Sequence, residues 1–228
     1  MHSRRIYVYK CVVDNGGAPC VDDGVLTLAI CKPSIRSTAR ERDLIFAFGS
    51  NNEQPPNRLV YIAQVSKKLE RGQYFLRDEF QKRGDCIYEA RNGSFRLRRN
   101  ARFHGDHDAR RSDLGKPPNY PKANTLLAKD FRYFGGQGKN GWKSRAPILK
   151  ELVEGLRRGH RVNYSPKLET ELTELKKRIW RDNPRKKVLG RPLDSPSRRI
   201  ISHCEEAVEI GNGLCCYEDC RCDSKKHN

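Results

Sequence analysis

"DLIFAFGSN", residues 43–51, sets an aspartate ahead of five apolar residues and ends the run with Gly-Ser-Asn. A short apolar run bounded by breakers has the length of a strand, and its lack of alternation predicts one buried on both faces or closing a barrel. Gly49-Ser50 then admits two readings, a catalytic Gly-Ser turn or the exit of a strand from a core. The neighbours decide between them. "RLVYIAQVS" (58–66) reads as the next strand, with "NNEQPPN" between as a hairpin loop rich in breakers. Upstream, "RIYVYKCVV" (5–13) and "GVLTLAIC" (24–31) are strands by their β-branched and aromatic content. "KPSIRSTARER" follows with Pro33 suited to a first helical position and Ile35 and Ala39 on one face, a short helix leading into the opening motif.

Downstream, "KKLERGQYFLRDEFQKRGD" is predicted irregular or partly helical, and "CIYEA" and "SFRLR" flank "RNG" as a second hairpin. "NTLLAKDFRYFGGQGKNG" (124–141) supplies a last apolar segment and a glycine series. The texture then changes. "SRAPILKELVEGLRRG" lines up Ile148, Leu149, Leu152, Val153 and Leu156, with Gly159 as its stop. "SPKLETELTELKKRIW" begins with Ser165 as N-cap and Pro166 at the first helical position, aligns Leu168, Leu172, Leu175 and Ile179, and runs from acidic to basic along the helix dipole. The predicted organisation is a β-rich domain over 1–140, a basic helical extension over 141–187, and a linker with a Cys-rich tail over 188–228.

With 46 Lys+Arg against 28 Asp+Glu, a formal charge of +18 and a pI near 9.7, the chain is expected to attract polyanions, nucleic acid first among them. The competing reading is charge that serves solubility alone. No apolar run approaches the roughly 20 residues of a membrane span, and "MHSRRIYVYK" lacks the apolar core of a signal peptide. The expectation is an intracellular protein, cytoplasmic or in the nucleoid or nucleus, not bound to a membrane. Nine cysteines, an odd number without an export signal, point to reduced thiols or a metal site ahead of disulfides.

The order short helix, "RERDLIFAFGSNN", hairpin, "RLVYIAQVSKKL" resembles the PUA-like superfamily, particularly its EVE and ASCH branches; Arg42-Asp43 stands where that pattern usually has Gly-Asp. The wider run "YKCVVDNGGAPCVDDGVLTLAICKPSIRSTARERDLIFAFG", with "GDCIYE" and "LLAKDFRYFGG" further on, resembles the nucleotide-modification-associated domain family over about residues 5–138. The resemblance implies a small PUA-like mixed β-barrel with short helices; with the C-terminal helical hairpin and the irregular Cys-rich tail read from the residues, the expected class is α+β. It also implies a role near modified DNA or its restriction, with nucleic acid, DNA ahead of RNA, and DNA-modification or restriction enzymes as partners.

Such a barrel could capture a modified or flipped base in an aromatic-lined cleft. Tyr9, Phe46, Phe48, Tyr61, Tyr74 and Phe75 are candidates for its wall, with core packing the preferred reading for Phe46 and Phe48, and Tyr133 before the glycine series is a further candidate nucleic-acid contact. Lys32, Arg36, Arg40, Lys139 and Lys143 are candidate phosphate contacts. Cys31 in "CKPSIR", near a helix start and two cations, is either a nucleophile or an inert buried thiol.

"RFHGDHDARRSD" gathers His104, Asp106, His107, Asp108 and Asp113, a set able to do acid/base work or to bind a divalent metal, although no recognised ligand spacing fits, with a solvated loop as the competing reading. The family resemblance supports a histidine here, placed at His104. An alternative function is therefore an enzyme that modifies or hydrolyses a base or nucleotide through His104, Asp106 and Asp130. A third reading, a γ-glutamylcyclotransferase-like turn at "FAFGSN" with Glu89 as acid, requires that motif on the first strand, and two strands precede it. No cofactor is required. In the tail, His203, Cys204, Cys215, Cys216, Cys220 and Cys222 could enclose a structural zinc, although their spacing lacks paired C-x2-C units, and a tail of unligated thiols is the competing reading.

Overall fold

The computed structural model describes residues 4–104, 107–157 and 159–194. In chain order the strands are β1 (Ile6–Lys10), β2 (Cys20–Asp22), β3 (Val25–Leu28), β4 (Leu44–Phe48), β5 (Leu59–Gln64), β6 (Lys67–Leu69), β7 (Tyr88–Arg91), β8 (Ser94–Leu97), β9 (Thr125–Ala128), β10 (Asp130–Tyr133) and β11 (His160–Arg161). The helices are α1 (Pro33–Thr38), α2 (Gln73–Leu76), α3 (His107–Leu114), α4 (Pro147–Gly155) and α5 (Pro166–Asp182).

Two sheets and a hairpin result. The larger sheet has the order β10-β5-β4-β1-β11, the smaller β2-β3-β9-β6, and β7 pairs with β8. The opening stretch lies at the centre of the larger sheet, with β4 parallel to β1 and antiparallel to β5. Period-two geometry sends alternate side chains to opposite faces. Ile45 and Ala47 of β4, with Tyr7 and Tyr9 of β1, enter the core between the sheets. Leu44, Phe46 and Phe48, with Ile6 and Val8, enter a second core under α4 and α5. Gly49 therefore opens a loop, as its surroundings in the sequence indicate, its N–H donating to Arg58 O and the Ser50 carbonyl accepting from Asn57 N–H.

The mixed α+β class holds, but the described residues form no closed barrel. The uninterrupted apolar character of β4 has another cause: one face meets the smaller sheet and the other is roofed by α4 and α5. Strands pass between the sheets at two corners. Val65 and Ser66 separate β5 from β6, and Lys129 alone separates β9 from β10.

α5 is built as its sequence predicts, whereas α4 ends at Gly155 with Leu156 as its extended C-cap, short of the stop expected at Gly159. Ser165 accepts the Leu168 N–H, and Leu168, Leu172 and Leu175 are buried. One device was not legible: the Glu171 carboxylate of α5 accepts the N–H groups of Ile148 and Leu149 at 3.2 and 2.7 Å, satisfying donors left open at the start of α4. These helices cover the sheet directly. Beyond them, the chain ties back to β10: Tyr133 N–H donates to Lys187 O, Leu189 N–H to Tyr133 O, and Gly136 N–H to Arg191 O. Among the described residues no helix is long and apolar enough to cross a membrane.

Candidate active site

Three non-glycine residues with left-handed backbone lie beside one another in space. Cys31 (φ 57°) and Lys32 (φ 48°) join β3 to α1, and His104 (φ 55°) lies between β8 and α3. Such conformations cost about 1–3 kcal/mol each and persist where surrounding contacts over-determine them, a pattern concentrated at functional sites.

The contacts are specific. Cys31 Sγ is 3.3 Å from His104 Nε2, and His104 Nδ1 is 2.5 Å from Asp113 Oδ2. Asp113 projects from the buried face of α3 beside Ala109 and Ser112. Its other oxygen accepts the backbone N–H of Cys31 at 2.8 Å, and the Tyr88 hydroxyl donates to Oδ2 at 2.9 Å. Arg36 completes the support: its guanidinium donates to the carbonyls of Cys31 (2.6 Å), Lys122 (2.8 Å), Asn124 (2.6 Å) and Asp113 (3.1 Å), and to Asp113 Oδ1 (3.3 Å). Cys31, His104 and Asp113 are at most 3% exposed.

Burial alone would lower the basicity of His104, but the Asp113 carboxylate and Cys31 outweigh it and hold the imidazole well above its ordinary pKa. Burial likewise opposes ionisation of Asp113, yet His104 and then Arg36 bring its pKa below the usual value. The site therefore favours imidazolium and carboxylate together. A thiol, an imidazole and an orienting carboxylate in a row form the arrangement that activates a sulfur nucleophile.

The structure sorts the other expected residues. His104 is in the site. Asp106 lies outside the described residues. Asp130 is elsewhere, accepting the Trp180 indole N–H at 2.8 Å, with Arg132 and Lys176 stacked on that indole at 4.5 and 4.4 Å. Arg36 is fully buried and committed to the site's carbonyls, so in this conformation it faces no phosphate.

Tyr61, Tyr74 and Tyr133 are at most 2% exposed, their hydroxyls bonded to Tyr9, Asp85 and Asp14. They wall no open cleft in this conformation. Lys32 is half-buried with its ammonium 5.1 Å above the Tyr9 ring. Arg40 and Lys139 are exposed, and Lys143 pairs with Glu154 at 3.2 Å. Arg40 borders an open depression with Arg5, Lys68, Glu41 and Glu70. The described cysteines, Cys11, Cys20, Cys31 and Cys86, are buried thiols. The tail set His203, Cys204, Cys215, Cys216, Cys220 and Cys222 lies outside the described residues.

Sequence reasoning recognised His104 and considered Cys31, but it left Asp113 among the acids of a polar loop. The available signal was helical spacing: Ala109 and Asp113 are four apart and share the buried face of α3.

Fold and site together define an α+β protein with two linked sheets and a buried thiol–imidazole–carboxylate row. The chain belongs to the nucleotide modification associated domain 2 family, whose model matches residues 3–199 and so spans both sheets and the C-terminal helices. No curated protein matches the chain, and no solved structure does.

Proposed function

We propose that the domain is a thiol-dependent enzyme acting on a nucleotide base, with Cys31 as nucleophile, His104 as its proton partner and Asp113 as the group that orients and charges the imidazole. The observation that carries this reading is the Cys31–His104–Asp113 row, held by three left-handed residues and a buried arginine. Family membership supplies the association with nucleotide modification. In the attacking state the thiol proton already rests on His104, which faces a Cys31 thiolate. As the sulfur–carbon bond forms at an electrophilic centre, the displaced electron pair goes to the atom leaving carbon or to the neighbouring ring atom, which accepts the proton from His104. Cys31 is closed from solvent in this conformation, so substrate entry requires displacement of its cover. A dry site of this kind strengthens the ion pair once substrate is in place.

In this reading the net charge of +18 serves to gather nucleic acid, DNA ahead of RNA, inside the cell, beside DNA-modification or restriction enzymes. The likeness to PUA-like folds belongs to the same proposal: sheets joined at two corners are compatible with an opened barrel that accepts a flipped base. The test is mass spectrometry of nucleosides and of the intact protein after incubation with oligonucleotides and nucleotides. The wild type should yield a new nucleoside or an adduct on Cys31, and Cys31→Ser and His104→Ala should yield neither. Product formed by Cys31→Ser, or none from the wild type with any substrate, overturns the reading.

A further inference from the structure

We infer that the groove between β8 and α3 binds a single strand of nucleic acid by its phosphates; this deepens the catalytic reading by naming a strand, not a free nucleotide, as what that site is offered. The groove has a volume of about 790 Å3 and is walled by residues of β8, α3 and the turn that follows. Its cations are Arg96, Arg110, Arg111 and Lys116, with His107 beside them, and among the described residues no carboxylate lines it. Two acids adjoin its lining: Glu89 stands opposite Arg96 in the β7–β8 ladder, and Asp108 lies against His107 at 3.7 Å.

Arg96, Arg111 and Lys116 are exposed and Arg110 is half-buried, so their charges face solvent. Beneath them Phe95, Leu114 and Tyr120 are buried and Leu97 is half-buried, giving an apolar floor with aromatic members. Cations along a rim over an apolar and aromatic floor are the chemistry that follows a single-stranded backbone. Four guanidinium and ammonium groups, on β8, α3 and the turn after it, exceed what one phosphate group needs, but they match successive phosphates. A duplex keeps its bases stacked and paired, whereas chemistry on a base needs that base released.

Position supports the same occupant. α3 turns Asp113 inward to His104 and Cys31 while Arg110, Arg111 and Leu114 line the groove, so one helix separates the two by its own thickness. A strand held on the outer side of α3 is thus kept next to the thiol.

The test is fluorescence anisotropy with a labelled single-stranded oligonucleotide over a salt series, alongside its duplex, a mononucleotide and a polyglutamate competitor. Arg96→Gln/Arg110→Gln/Arg111→Gln should weaken single-strand binding at least tenfold and reduce the salt slope by about 2, near 0.7 for each lost phosphate contact. A variant that removes the same charge from α5, Lys167→Gln/Lys177→Gln/Arg181→Gln, should stay within about twofold of wild type. The groove variant should keep the wild-type melting temperature and Cys31 alkylation rate, which separates lost binding from lost fold.

Unchanged affinity in the groove variant, an equal loss in the α5 variant, preference for duplex or mononucleotide, or equal competition by polyglutamate would each overturn the inference. Cys31→Ser should bind like wild type. Groove binding without any product would sink the catalytic reading alone, whereas product formation that ignores the groove variant would sink the groove alone.

Discussion

Asp113 and Cys31 are joined through the main chain: one carboxylate oxygen accepts the Cys31 backbone N–H at 2.8 Å, while the other faces His104 Nδ1 at 2.5 Å. One acid thereby fixes both the backbone that carries the sulfur and the ring that faces it. Removing a partner from such a buried set leaves uncompensated charge. Asp113→Ala is expected to cost about 3–5 kcal/mol by urea denaturation, and a loss under about 1 kcal/mol would show the contacts to be incidental. Asp113→Asn, which keeps the shape, should slow Cys31 alkylation in the folded protein at neutral pH; an unchanged rate would deny Asp113 its orienting role.

The pH dependence of stability has a definite sign. The folded-state pKa of His104 is raised, so its contribution is fully present below the unfolded value of about 6.5 and is lost as pH rises through the folded value. That of Asp113 is lowered, so its contribution is present above the unfolded value near 3.9 and is lost as pH falls through the folded one. The stability difference between wild type and His104→Gln should therefore be greatest between about pH 4 and 6.5 and shrink above it. A difference that grows from pH 7 to 9 would contradict an imidazolium in this site.

Lys10 offers a titration on the opposite side of the sheet. It is 5% exposed, and its ammonium donates to Gly49 O at 3.3 Å, Asn51 Oδ1 at 2.9 Å and Asn57 Oδ1. Burial, aided by the charge of Lys143, brings its pKa down to about 8. A folded value below the unfolded one makes stability rise as pH climbs from about 8 to 10.4, relative to Lys10→Met. NMR of 13C-methylated lysines should find one resonance titrating near pH 8, and no resonance moving below pH 9.5 would refute it.

Leu172 tests whether the C-terminal helices fold with the sheets. It is fully buried in the core that also holds Val8, Phe46 and Phe48. Leu172→Ala should cost about 2–5 kcal/mol while leaving one cooperative transition seen alike by far-UV and tryptophan signals. Two separated transitions would mean that α4 and α5 unfold as an independent unit.

Local patterns were legible before the structure, and distant pairings were not. The strand at 44–48, the "RNG" hairpin and the capped helix from Pro166 follow from neighbouring residues alone. Apolar content on both sides of β4 could not distinguish a barrel from a sheet covered by helices, because either buries both faces. Arg36 has the composition of a surface phosphate contact, and only the carbonyls of Lys122 and Asn124, more than 80 residues away, make it an internal strut. The active row has the same character: Cys31 and His104 stand 73 residues apart, and nothing local announces their meeting.

β1 lies between β4 and β11, and β11 pairs with it through Val8 with Arg161 and Tyr9 with His160. During vectorial synthesis one edge of β1, made well before β11, must wait for residues 160–161 before it is capped. A ribosome-bound chain or a truncated one would carry Ile6–Lys10 as an open template for pairing with another nascent copy. Two residues of late strand thus guard one edge of the sheet at Val8 and Tyr9, while the opposite edge at Tyr133 waits still longer, for residues 187–189.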